Sequence, residues 1–140
     1  MNIRPFEHGD CKTVIELWRR CGLVVSWNDP VGDIDRKMKV DPELFVVGLV
    51  NDKVIATVMG GYDGHRGTMF YLAVDERHQG QGYGRKIVEY VSELLGKRGC
   101  PKVNIMIRSS NSRVIDFYHR LGFNADEVVC LGKRLIKDEQ

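Results

Sequence analysis

The hydrophobic positions of the chain fall into amphipathic stretches separated by short, almost continuously apolar runs. Apolar residues recur at helical spacing from Cys11 to Cys21, and Gly22 follows them, which predicts a first helix that ends there. A weaker helical pattern covers Ile34 to Met38. Two further stripes predict two more helices, and their members are Ile87, Val88, Val91, Leu94 and Leu95, then Val114, Phe117, Tyr118 and Leu121.

The apolar runs predict strands. "NIRPF" reads as an edge strand, since Pro5 lacks the N–H that a central strand needs. Nearly continuous apolar runs are typical of strands that are covered on both faces. The remaining predicted strands are "ELFVVGLV", "VIATVMGGY", "TMFYLAV" and "KVNIMIR", with "FNADEVVCLGKRLI" ending the chain as one or two more. The order of elements predicts an α/β fold with a mixed sheet and helices on both faces.

Composition narrows the class of protein. At 140 residues the chain is expected to form one domain, residues 1–140. Its net charge, 21 basic minus 19 acidic residues, is +2, which favours neither nucleic acid nor a membrane surface as a partner. The sequence has no long apolar run and no signal-peptide core, so a cytoplasmic location is expected. The four cysteines are widely spaced and are expected to be reduced, with no metal site.

The stretch "RHQGQGYGRK", residues 77–86, lies between a predicted strand and a predicted helix. The first N–H groups of a helix lack internal partners, and glycines allow an anion to approach them. A diphosphate therefore suits this loop, although a plain tight turn would also use glycines. The spacing fits neither GxxxxGK[ST] of a P-loop nor GxGxxG of a dinucleotide-binding loop.

Two motifs carry a resemblance to a known family. Gln79-Gly80-Gln81-Gly82-Tyr83-Gly84 matches [Q/R]xxGx[G/A], and "NSRVIDFYHRLGF" matches an Asn, then a helix with a Tyr, then LGF. In this order, with a strand before the first, they resemble the GNAT superfamily of acetyl-CoA-dependent N-acetyltransferases, and the resemblance covers essentially the whole chain. It implies a GNAT-like mixed, mostly antiparallel sheet with helices on both faces.

The resemblance also implies roles for individual residues. Tyr118 would protonate the departing thiolate, Asn111 would bond the cofactor arm, and a phenol suits that proton transfer because its ordinary pKa is close to that of a thiol. Plain alternatives are an N-cap for Asn111 and a core position for Tyr118. Main-chain groups would pair with pantetheine at Leu72, Ala73 and Val74, and would hold the pyrophosphate at Gln79, Gly80, Gln81, Gly82, Tyr83 and Gly84.

The implied activity is acetyl transfer from acetyl-CoA to a primary amine, a small molecule or a peptide N-terminus, by direct attack in a ternary complex without a metal. Two other classes stay open: an acyl-CoA-binding sensor without turnover, and a structural domain with a vestigial cleft. A homodimer is compatible with the sequence, which does not fix the oligomeric state.

The general base and the acceptor site are not fixed by the sequence. Ribosomal-protein alanine acetyltransferases carry a Glu where this chain has Met106. The general base of those enzymes therefore has no counterpart at this position. Asp63 and His65 are alternatives, against a reading of "YDGHRG" as a polar hairpin turn. "VVSWNDP" offers Trp27, Asn28 and Asp29 to an acceptor, or a packed ring and a turn. Arg108 is expected to contact a carboxylate or a phosphate.

Overall fold

A five-stranded sheet forms the centre of the computed structural model, which describes residues 1–138. The strands lie in chain order, and all neighbours are antiparallel except the parallel pair β4–β5, which confirms the mixed, mostly antiparallel prediction. The strands are β1 (Asn2–Pro5), β2 (Phe45–Val50), β3 (Lys53–Tyr62), β4 (Gly67–Val74) and β5 (Val103–Asn104); the helices are α1 (Cys11–Arg20), α2 (Pro30–Lys37), α3 (Tyr83–Lys97) and α4 (Ser112–Arg120).

The helix and strand ends follow local chemistry. β1 lies at the edge of the sheet and pairs only with β2, as Pro5 requires. Gly22 has a φ of 73°, the left-handed conformation that commonly follows the last turn of a helix, and it lies just beyond α1. The Asp29 carboxylate accepts a hydrogen bond from Gly32 N at 3.1 Å and thereby caps α2.

The sheet separates two hydrophobic clusters, because successive side chains of a strand point to opposite faces. Leu44 and Val46 belong to the cluster under α3 and α4, whereas Phe45 and Val47 belong to the cluster under α1 and α2. The prediction of helices on both faces is therefore confirmed. No helix among residues 1–138 combines the length and the apolar character needed to cross a bilayer.

The C-terminal part of the chain differs from the prediction. Residues 123–138 contain no strand, so the predicted final strand or strands are wrong for this segment. A strand needs a paired edge, and β5 has only two residues instead of the longer run expected from "KVNIMIR". The apolar side chains of the segment consequently lie in solvent: Val128, Val129, Leu131, Leu135 and Ile136.

The shortness of β5 also opens the sheet beside β4. Only Gly67 and Thr68 of β4 pair with β5, opposite Val103 and Asn104. Beyond Thr68, β4 continues to Val74 without a paired strand on that side. Six further residues of β4, 69–74, therefore have an edge without a paired strand that leads to the glycine-rich loop, and at its end the Val74 carbonyl accepts from Gln79 Nε2 at 2.9 Å.

Candidate active site

A bulge in β4 marks the middle of its free edge. The β3–β4 register passes from Thr57 opposite Ala73 to Met59 opposite Phe70, so β4 contains one extra residue there. Within this bulge Tyr71 has a φ of 53°, a left-handed conformation that a bulky side chain rarely adopts. Strain of this kind persists only where the surroundings fix it, and it is concentrated at functional sites.

Three contacts hold the strained Tyr71 in place, and a further hydrogen bond fixes one of its partners. Its ring stacks on that of Trp18, with ring centroids 3.8 Å apart, and its hydroxyl donates to Asp33 Oδ2 at 2.5 Å. Its carbonyl accepts from the Thr57 hydroxyl at 2.8 Å, and Thr57 Oγ1 accepts from Trp18 Nε1 at 2.9 Å. The pKa of the Tyr71 phenol is raised above its usual value, mainly by burial and also by the hydrogen bond to Asp33. The phenol therefore stays protonated at neutral pH and acts as a fixed donor.

We expect the substitution Thr57→Val to lower the free energy of unfolding by about 2 kcal/mol, because it leaves the buried Trp18 N–H and the Tyr71 carbonyl without the bridging hydroxyl. Thr57 is completely buried, so water cannot replace that hydroxyl. Urea denaturation measures the change. Thr57→Ser keeps the hydroxyl and serves as the control. A Val variant as stable as the Ser variant would show that the bridge does not stabilise the bulge.

The turn between β4 and the glycine-rich loop is fixed by Asp75. This carboxylate is only 3% exposed, and it accepts from the Arg77 N–H at 3.0 Å and from Arg77 Nη2 at 3.1 Å. Arg20 Nη2 donates to it as well, at 3.1 Å. The hydrogen bonds from Arg77 hold the pKa of Asp75 well below its ordinary value, so the contact persists at neutral pH. The loop consequently starts from a rigid strand end.

The glycine-rich loop leaves its N–H groups free. None of the N–H groups from Gly80 to Arg85 has an acceptor within the described part of the chain, and no side chain caps α3. Gly80 and Gly82 have φ values of 77° and 83°, which a tight turn requires, and a Cβ atom at either would meet open space. The turn interpretation is thus correct for these two glycines, and the loop is also open to an anion.

Gly84 serves a different purpose, since it allows α3 to approach α4. A Cβ atom at residue 84 would lie 3.1 Å from Phe117 Cζ and 3.7 Å from Val74 Cγ2. The end of β4, the start of α3 and the middle of α4 therefore meet at one point. The structure thereby brings together segments that the sequence predicted as parts of one site.

Tyr118 lies on α4 next to Phe117 and is 4% exposed. Its ring makes edge contacts with those of Phe117 and Phe123, at centroid distances of 5.1 and 5.4 Å, and Leu72 and Val74 pack against the same hydrophobic cluster. Its hydroxyl makes no hydrogen bond with the described residues, and burial raises the pKa of the phenol. Tyr118 is thus a core residue, as the plain alternative held, with an uncommitted and protonated hydroxyl.

Asn111 is the N-cap of α4, where its Oδ1 accepts from Val114 N at 3.3 Å. The plain N-cap interpretation is therefore correct. The bond engages the side-chain oxygen only, and the residue is exposed. The amide nitrogen is consequently available as a donor.

The hairpin turn before β4 is what the plain interpretation of "YDGHRG" predicts. Asp63 Oδ1 accepts from the N–H groups of His65 and Arg66, both at 2.7 Å, and these bonds hold the pKa of Asp63 below its usual value. The turn lies at the opposite end of β4 from the glycine-rich loop. Neither Asp63 nor His65 is therefore placed beside the loop.

Met106 is 59% exposed and carries no titratable group.

Trp27, Asn28 and Asp29, between α1 and α2, make contacts within the chain that the sequence did not predict. Trp27 is 46% exposed rather than packed under a loop, and the Arg108 guanidinium lies over its ring at 5.0 Å. Within residues 1–138, Arg108 makes this cation–π contact and no ion pair with a carboxylate, and its contact with a phosphate stays a prediction. Asn28 Oδ1 accepts from Arg134 at 3.1 Å, and the Asp29 carboxylate is occupied by capping α2.

An open pocket of about 570 Å³ lies between α2 and the strands β3 and β4, beside the bulge. Asp33, Arg36 and Lys37 of α2 contribute its charged groups, and Arg36 Nη2 donates to Asp33 Oδ1 at 2.9 Å. The other lining residues are Asn28, Met59, Gly60, Gly61, Thr68, Phe70 and Tyr71. Sequence reasoning missed Asp33, Lys37 and Tyr71 as site residues. The only available signal was the helical spacing of Asp33, Arg36 and Lys37, which is also typical of a solvated helix face.

Comparison with known proteins agrees with this geometry. Residues 11–123 match the model of the Acetyltransferase (GNAT) family, whose members use acetyl-CoA as co-substrate. An acetyltransferase of Yersinia pestis (strain Pestoides F) is 46% identical over 140 residues, covering 100% of this chain and 99% of the relative.

Two solved structures share the fold and part of the sequence. Ard1 from Thermoplasma volcanium is 25% identical with a TM-score of 0.76, over 88% of this chain and 82% of that one. The ribosomal-protein-S18-alanine N-acetyltransferase from Escherichia coli is 26% identical with a TM-score of 0.71, over 88% and 77%. The chain therefore belongs to the GNAT family of acetyltransferases.

Proposed function

We propose that this protein transfers the acetyl group of acetyl-CoA to a primary amine by direct attack in a ternary complex. The observation that carries the proposal is the free edge of β4, which leads from the Tyr71 bulge to a loop with free N–H groups. Extended ligands pair with such edges, and anions bind at such helix starts. The two features thus suit the arm and the diphosphate of one ligand.

Separate segments of the chain bind separate parts of acetyl-CoA. The free N–H groups of Gly80 to Gly84 hold the diphosphate, and Arg85 and Lys86 add positive charge beside it. The N–H of Gln79 is not among them, because it donates to the Glu76 carbonyl at 3.5 Å. The main chain of Leu72, Ala73 and Val74 pairs with the pantetheine arm. The amide nitrogen of Asn111, which capping leaves unused, donates to the same arm.

Acetyl transfer then needs stabilisation of an oxyanion and one proton. The acceptor attacks as a free amine; its nitrogen bonds to the thioester carbon, and main-chain N–H groups at the bulge stabilise the oxyanion. The carbon–sulfur bond breaks as the tetrahedral intermediate collapses, and the Tyr118 hydroxyl gives its proton to the thiolate. The new amide loses the nitrogen's surplus proton to solvent, from which Tyr118 is reprotonated. Burial raises the pKa of Tyr118, so the phenol is protonated at neutral pH but is a weaker acid than a free phenol. The proton transfer therefore depends on the position of the hydroxyl beside the sulfur more than on matched pKa values.

A coenzyme A release assay with a panel of small amines and peptides, combined with calorimetry of acetyl-CoA binding, tests the proposal. We expect saturable acetyl-CoA binding and release of coenzyme A with at least one primary amine. Binding without turnover on any amine would support the sensor instead. Failure to bind acetyl-CoA would overturn the assignment of the loop and of the β4 edge together.

A further inference from the structure

The pocket between α2 and the sheet has an acidic end and a basic end. Asp33 lies at the end nearer the bulge, where its Oδ2 accepts from the hydroxyl of Tyr71, the strained residue of the bulge. Its Oδ1 accepts from Arg36 Nη2 at 2.9 Å, and Arg36 also pairs with Asp138. Two carboxylates and one guanidinium leave this end with a net negative charge. Lys37 follows Asp33 one helical turn later, so the Cβ atoms of these two residues are about 6 Å apart. Lys37 lies toward the β3–β4 hairpin, next to Gly61. The Asp33–Arg36–Asp138 group and Lys37 are therefore arranged along the pocket, with the net negative charge nearer to the bulge.

The basic end has the features of a site for an acidic group. A Cβ atom at residue 61 would lie 3.4 Å from Thr68 Oγ1 and 3.9 Å from Lys37 Nζ, so the glycine leaves open the corner where these donors meet. No carboxylate of residues 1–138 lies within 4 Å of Lys37 Nζ, since the nearby Asp41 and Glu43 form ion pairs with Arg98. The attraction of Asp41 and Glu43 for Lys37 acts only at longer range.

Burial costs Lys37 part of its hydration. Its side chain is half-buried, and this desolvation lowers the pKa of its ammonium group. An anionic ligand group would restore a direct partner to it, with the Thr68 hydroxyl as a second donor.

We propose that the acceptor is a small amine that also carries an acidic group, with its amine beside Asp33 and its acidic group on Lys37 and Thr68. This inference rests on the proposed acetyl transfer and names the substrate class for it. The order of the charges matters: the amine lies at the end of the pocket next to the bulge, where the main chain receives the thioester. Carboxylate and phosphate share the chemistry that Lys37 recognises, and the test separates them.

Matched acceptor pairs at saturating acetyl-CoA provide the test, with coenzyme A release as the readout. The carboxylate pairs are phenylalanine with phenylalaninol and 4-aminobutanoate with 4-aminobutanol; the phosphate pair is glucosamine 6-phosphate with glucosamine. We expect the acidic member of at least one pair to have the higher kcat/KM, by about tenfold or more, which is the effect of one hydrogen bond to a charged group. Equal or better turnover of the neutral member in every pair would overturn the inference and leave acetyl transfer intact.

Lys37→Met removes the charge and keeps the length of the side chain. We expect it to reduce kcat/KM for the preferred acidic acceptor about tenfold or more, while the neutral partner and acetyl-CoA binding stay unchanged. Lys39→Met changes an exposed lysine close by and is the matched control, and Lys37→Arg should retain the preference. An equal loss for both members of a pair would contradict the assignment of Lys37. Normal acetyl-CoA binding with turnover of no acceptor would overturn the inference, whereas loss of acetyl-CoA binding in the unmodified protein would overturn the proposed function itself.

Discussion

The variant Gly82→Asp is expected to lose acetyl-CoA binding by a factor on the order of a hundred or more. Gly82 is the N-cap of α3, and the helix has no side-chain cap. An Asp at this position would offer its own carboxylate to the N–H groups that we assign to the diphosphate. Losing two charged hydrogen bonds, about 1.5–3 kcal/mol each, accounts for a loss of that size. Isothermal calorimetry with acetyl-CoA measures it.

Gly82→Asn is the matched control, because Asn has nearly the same shape as Asp, tolerates the left-handed conformation better than most residues and carries no charge. We expect this variant to bind acetyl-CoA more weakly than the unmodified protein and clearly more tightly than the Asp variant. Equal affinities of the Asp and Asn variants would assign the loss to backbone strain. Normal affinity of the Asp variant would place the diphosphate elsewhere.

Tyr118→Phe is expected to reduce kcat roughly a hundredfold or more and to leave acetyl-CoA affinity unchanged. General acid catalysis contributes effects of this size, and the Phe variant cannot supply the proton. The fold should tolerate the change, since the Tyr118 hydroxyl makes no hydrogen bond with the described residues and the ring contacts remain. Steady-state kinetics and calorimetry together measure the two quantities.

Tyr62→Phe provides the control for this experiment. Tyr62 ends β3 beside the hairpin turn, and its hydroxyl lies 3.4 Å from the carbonyl oxygens of Gly64 and Gly99. We expect its kcat to stay near that of the unmodified protein. An unchanged kcat in the Tyr118 variant would remove Tyr118 from the chemistry and leave it as a core residue only.

Local patterns in the sequence were sufficient for most of the fold. The stripe from Cys11 to Cys21 and the stripe from Ile87 to Leu95 each predict a helix that the structure contains, because an apolar stripe at helical spacing depends on neighbouring residues alone. The segment after Phe123 failed as a strand for the opposite reason. Its apolar residues satisfy the local pattern, but a strand also needs a partner edge, and the two residues of β5 provide almost none.

The site divides in the same way. The glycine-rich loop and Tyr118 lie within contiguous motifs, so the sequence alone is enough to propose them as site residues. The bulge at Tyr71 depends on the register between two strands, which no single stretch of sequence encodes. Asp33 and Lys37 had the appearance of a solvated helix face, and only the packing of α2 over β3 and β4 makes them line a pocket.

The absence of a side chain at Gly84 also allows α3 and α4 to contact each other directly. The start of α3 contacts the Phe117 ring of α4 closely, since a Cβ atom at residue 84 would lie 3.1 Å from Phe117 Cζ. Tyr118 is the next residue along that helix. A larger residue at position 84 is therefore expected to displace both the first turn of α3 and the helix that carries Tyr118.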